Sequence, residues 1–137
     1  MNKIEHVGIA VKDLATSCTL YEKLLGQTFY KKETVHSENV ETAFFWVGDH
    51  KIELLEATSE DSAIAKFIVK RGEGIHHIAF EVNDIIAEMK RLKAEGFTLL
   101  NEVPKKGADQ KLVCFVHPKN TNGVLIELCQ QIRDGVV

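Results

Sequence analysis

Four residues carry the chemistry this sequence can offer: His6, Glu53, His77 and Glu127. His6 lies in Ile4-Glu5-His6-Val7-Gly8-Ile9-Ala10-Val11-Lys12-Asp13, and His77 in Ile75-His76-His77-Ile78-Ala79-Phe80-Glu81-Val82-Asn83-Asp84. Laid on each other, the two stretches share Ile, His, a β-branched residue, a small residue, an apolar residue, Val and Asp. They stand about half a chain length apart. A second pair repeats in step: Lys51-Ile52-Glu53-Leu54-Leu55 and Leu125-Ile126-Glu127-Leu128-Cys129, each shortly after a glycine, Gly48 or Gly123. Self-similarity at a fixed period fixes architecture before any local reading does. Two imidazoles and two carboxylates brought to one point suit a divalent ion such as Zn, Mn, Co, Ni or Fe(II). An octahedral ion held so keeps two positions for water or a chelating substrate. It acts as a Lewis acid towards a carbonyl oxygen.

The elements that must position these groups follow from periodicity. Residues 4–11 alternate as a strand, with Val7, Ile9 and Val11 on one face and His6, Gly8 and Ala10 on the other. Small residues beside His6 leave room for something other than side chains. Asp13 caps a helix over about 14–25, which Gly26 ends. Strands are expected at 27–32, 40–47 and 50–56, the last carrying Glu53. A linker helix is expected over about 62–71. The second half repeats the order: a strand at 75–82, a helix from Asp84 to about 95, and strands near 97–101, 111–117 and 123–129. The chain therefore reads as α+β, two tandem βαβββ modules in a single domain spanning 1–137. Module one covers about 4–57, the linker helix about 58–73, and module two about 75–130. In both modules His or Glu faces away from the helix side. A buried carboxylate without a cation or strong donors is costly, which also argues for a metal at Glu53 and Glu127.

Other residues give less. His76 is one position out of phase with His77 and reads as structural. His36, His50 and His117 fall near strand ends or loops, and Lys105-Lys106-Gly107 reads as a solvated basic loop. Apolar residues make up 45% and charged residues 27%, as in ordinary soluble domains. A net charge of −3 gives no reason to expect nucleic acid or an anionic membrane. Three scattered cysteines, Cys18, Cys114 and Cys129, argue against a disulfide framework and for a reducing cytoplasm. No signal peptide is apparent, and no apolar run approaches the roughly 20 residues of a membrane span. No Gly-rich phosphate loop, GxSxG or HExxH occurs.

The repeat with His early and Glu late resembles the vicinal oxygen chelate (glyoxalase/dioxygenase) superfamily. Several stretches resemble its methylmalonyl-CoA epimerases. These are His6-Val7-Gly8-Ile9-Ala10-Val11, Gly48 through Glu56, Ser62 through Phe67, Gly74-Ile75-His76-His77-Ile78-Ala79, and His117-Pro118-Lys119 through Gly123-Val124-Leu125-Ile126-Glu127-Leu128. The resemblance covers nearly the whole chain. It implies a pseudo-twofold curved mixed sheet with helices outside, one divalent metal ion (Co, Mn, Zn or Ni), an acyl-CoA substrate and a homodimer. It implies His6, Glu53, His77 and Glu127 as ligands, with Glu127 also an acid/base working through an enolate. The second acid of that family is expected near residue 42, where this chain has Thr42; the adjacent Glu41 is the available carboxyl, though strand alternation points it to the other sheet face. A glyoxalase I-type lyase and a metal-free binding protein are the alternatives.

Overall fold

Two aspartates open the two helices that repeat. In the computed structural model, which describes residues 1–133, Asp13 accepts from the backbone N–H groups of Ala15 and Thr16 and starts α1, Leu14–Leu25. Asp84 accepts from Ala87 N–H and starts α3, Ile85–Ala94. Such a cap contributes about 1 kcal/mol, because it satisfies amides that have no intrahelical acceptor. Gly26, at φ 73°, ends α1 in the left-handed conformation that a Cβ disfavours. Strand β1, Lys3–Ala10, precedes the first cap, and β5, Gly74–Glu81, the second. Between them lies α2, Ala63–Arg71, capped by Ser62. No described helix is long and apolar enough to cross a membrane.

The chain divides into two compact units. In the first, His6–His76, the order is β2 (Lys31–Val35), β3 (Val40–Val47), β4 (His50–Ala57) and β1. β1 runs parallel to β4, and the hairpins are antiparallel. Helix α1 turns Leu14, Cys18, Tyr21 and Leu25 onto Ala43, Phe45 and Leu54. The spacing is one face of a 3.6-residue period. Helix α2 covers the opposite face at one end, where Ile64 packs on Ala10, Val40 and Leu55.

The second unit comprises Met1–Glu5 and the chain from His77 on. Its strand order is β5, β8 (Ile126–Gln131), β7 (Lys111–Val116) and β6 (Lys105–Lys106). β5 and β8 are parallel; the others are antiparallel. Ile85, Met89 and Leu92 of α3 pack on Leu112, Cys114, Val116 and Leu128.

Three strand boundaries differ from expectation. β2 starts at Lys31 and not at 27, because pairing with β3 begins at Lys31 opposite Phe44. Residues 97–101 form only one bridge, Leu99 to Val116. Backbone bonds flank that bridge, Leu100 N–H to the Phe115 carbonyl and His117 N–H to the Thr98 carbonyl, both at 2.8 Å, and beyond them the Asn101 side-chain oxygen accepts from Phe115 N–H at 3.1 Å. β8 starts at Ile126 and not at 123, since Asn122 and Gly123, at φ 58° and 84°, belong to a turn.

Cys18, Cys114 and Cys129 are free and buried, and burial pushes each thiol up. A raised thiol pKa leaves less thiolate, the reactive form, at any given pH. A thiol reagent at pH 8 is therefore expected to label none of the three until the protein is denatured. Rapid labelling of the folded protein would contradict this burial.

Candidate metal centre

The site is built twice by one register. In the His6–His76 unit, Gly8 of β1 stands opposite Glu53 of β4, and Phe44 of β3 stands opposite Glu53 on its other side. Directly opposed residues share a face, and residues two apart share it too. So His6, Gly8, Phe44 and Glu53 look out from the same side of the sheet, away from α1. Gly8 puts no side chain beside the carboxylate. His6 Nε2 lies 3.2 Å from Glu53 Oε1, and both side chains are about 95% buried. Phe44 meets the His6 ring edge-on, at 6.3 Å between centroids.

The second unit repeats each part. Ala79 of β5 stands opposite Glu127 of β8, and Phe115 of β7 stands opposite Glu127. His77, two residues before the small Ala79, places Nε2 3.7 Å from Glu127 Oε1. Phe115 meets the His77 ring edge-on at 6.2 Å. His77 is 3% exposed and Glu127 7%.

Each pair fits two adjacent ligands of one ion. Imidazole and carboxylate atoms ~2.0–2.2 Å from a metal, at tetrahedral or octahedral angles, lie about 2.8–3.6 Å apart. The first pair, at 3.2 Å, falls inside that range, and the second, at 3.7 Å, lies 0.1 Å beyond it. The donor set, a borderline nitrogen with a hard oxygen, suits first-row divalent ions. Burial of both carboxylates beside an imidazole, with an aromatic wall, excludes much of the water that would otherwise solvate them.

The remaining expected residues are distributed differently. Glu41 stands opposite Glu56, whose carboxylate accepts from Leu14 N–H at the start of α1. Glu41 is thus on the helix side of the sheet, 3.9 Å from Lys32 Nζ, and the structure does not bring it to Glu53. One step in register separates it from the site, and one step reverses a side chain. Thr42 does share the Glu53 face; it is fully buried, and its hydroxyl has no hydrogen-bond partner among the described residues. His76 packs edge-on to Phe67 of α2 at 5.1 Å, as a structural side chain should.

Sequence reasoning passed over Phe44, Phe115 and Lys111. The two phenylalanines were legible as strand residues but not as repeat partners. They lie nine residues before Glu53 and twelve before Glu127, because the turns between the strands differ in length. Lys111 opens an apolar strand, and its phase with Glu127 becomes visible only through the β7–β8 register.

The profile of the glyoxalase/bleomycin resistance protein/dioxygenase superfamily matches residues 5–115. An ethylmalonyl-CoA/methylmalonyl-CoA epimerase of Cereibacter sphaeroides is 41% identical over 132 residues, covering 95% of this chain and 98% of that one. A solved Streptomyces coelicolor methylmalonyl-CoA epimerase in complex with 2-nitronate-propionyl-CoA superposes with a TM-score of 0.93 at 33% identity, over 97% of this chain and 99% of that one. A solved methylmalonyl-CoA epimerase in complex with methylmalonyl-CoA and ammonium also gives 0.93 at 33% identity, over 99% and 97%.

Proposed function

Since the chain belongs to the glyoxalase/bleomycin resistance protein/dioxygenase superfamily, we propose that it is a metal-dependent epimerase interconverting the 2S and 2R forms of methylmalonyl-CoA. The observation that carries this reading is the doubled His–Glu pair, built by the same register in both halves. Relatives that act on methylmalonyl-CoA match nearly the whole chain and support the substrate class. In this reading His6, Glu53, His77 and Glu127 would together hold one ion, whose two positive charges would balance the two carboxylates while the imidazoles bind as neutral donors. The ion, when bound, supplies a Lewis acid for the thioester and carboxylate oxygens of the substrate.

The chain's own groups do the rest. Glu127 removes the proton on C2 of the acyl group as general base. The resulting enolate is planar at C2, so a proton returned to the opposite face gives the other epimer. Phe44 and Phe115 flank the two histidines and keep water from the reacting carbon.

Incubation with methylmalonyl-CoA in D₂O, with Co, Mn, Zn and Ni each supplied in turn, tests the reading. Deuterium is expected at C2 together with conversion of one epimer into the other. No exchange with any of these metals, or turnover of a glutathione hemithioacetal instead, overturns it.

A further inference from the structure

We propose that Lys111 is the second proton-transfer group of this reaction, delivering a proton to C2 from the side opposite Glu127; this rests on the epimerase reading above. The β7–β8 register puts Lys111 opposite Gln131, Val113 opposite Cys129 and Phe115 opposite Glu127. Lys111 therefore looks out from the same face as Glu127. It stands four positions from Phe115, about 13 Å at the rise of a strand. An extended lysine side chain spans about half of that, along the face that also carries Val113 and Cys129.

The surroundings of Lys111 are those of a charge held for use. Lys111 is 4% exposed, although lysine is almost never buried without full pairing. Its Nζ carries three donors. It donates to Gln131 Oε1 at 2.8 Å, and Glu5 Oε2 lies 3.8 Å away, an ion pair beyond hydrogen-bond reach. Glu5 is itself 2% exposed. A buried ammonium is favourable only when its remaining protons are also met. An incoming enolate or carboxylate meets them.

Other groups on these faces do not serve. Glu41 is on the helix side, and Thr42 offers only a hydroxyl. Burial pushes the Cys129 thiol up, and Cys129 donates to the Phe80 carbonyl. Glu81 lines an open cavity of about 410 Å³ with Asn83, Gln130 and Arg133.

The protons balance. Glu127 takes the C2 proton of one epimer, leaving a carboxylic acid and an enolate. The Lys111 ammonium then gives its proton to C2, leaving an amine. That enzyme form processes the other epimer with the roles reversed, and exchange with solvent restores the first form.

Lys111→Arg keeps the charge beside Glu5, but a guanidinium does not release a proton in a protein. In the metal-loaded variant, epimerisation is expected to fall 10²–10⁴-fold. C2 exchange in D₂O is expected to persist for the one epimer whose proton Glu127 takes, and to vanish for the other. Glu5→Gln combined with Lys111→Met removes both buried charges and is expected to show the same one-sided exchange. Epimerisation within threefold of wild type in either variant overturns the proposal. So does an equal fall in exchange for both epimers, which marks a structural or binding role. If wild type itself neither exchanges nor epimerises, the epimerase reading has failed, not the assignment of Lys111.

Discussion

His77→Ala is expected to give a folded protein that holds no stoichiometric divalent ion and turns over no methylmalonyl-CoA. The imidazole is 3% exposed and sits 3.7 Å from Glu127, so its removal deletes a donor from the interior and leaves a carboxylate beside an alanine. Outer-shell partners of metal ligands command about 10–100-fold in affinity or activity, and loss of a ligand exceeds that. Loss of the His77 contact to the buried Glu127 carboxylate also costs stability. The fold survives because the core under α3, built on Met89, Leu112 and Leu128, lies on the other face of the sheet. Metal analysis after dialysis, together with a thermal melt, checks this. A variant that keeps one tightly held ion per chain removes His77 from the ligand set.

Glu127→Gln separates two duties that one carboxylate is given. The amide keeps an oxygen for the metal but cannot take a proton. Turnover is expected to fall 10²–10⁴-fold, the usual share of a general base. Metal is expected to remain bound at raised metal concentration. Exchange at C2 should vanish for the epimer whose proton Glu127 takes and persist for the other, the mirror image of the Lys111 variants. Near-normal exchange of both epimers in a metal-loaded Glu127→Gln protein assigns the base elsewhere.

Much of this was written in the chain, because a duplicated strand carries its own check. His6 with Gly8, and His77 with Ala79, have the same spacing, and a small residue in that phase means the neighbouring strand approaches with its carboxylate. Helix α1 was legible residue by residue, since Asp13 and Gly26 are local devices that need no tertiary partner. Pairing decided what was less legible. β2 is charged and begins where β3 begins to pair, not where Phe29 and Tyr30 make the sequence look strand-like. The segment at 97–101 pairs with β7 only through Thr98 and Leu100, because the Asn101 side chain takes the Phe115 N–H where the ladder would continue. Lys111 was hidden because a lysine at a strand end is ordinarily solvated. Only the register onto Gln131, and the neighbouring Glu5 from the far end of the chain, reveal it as buried.

The central claim is one ion shared by two repeated pairs. Crystals loaded with Co²⁺ and measured at the cobalt absorption edge test it most directly. One anomalous peak per chain is expected, about 2.0–2.2 Å from a ligand atom of each of His6, Glu53, His77 and Glu127. Two separate peaks, one on each His–Glu pair, or a single peak that leaves out either pair, would contradict it.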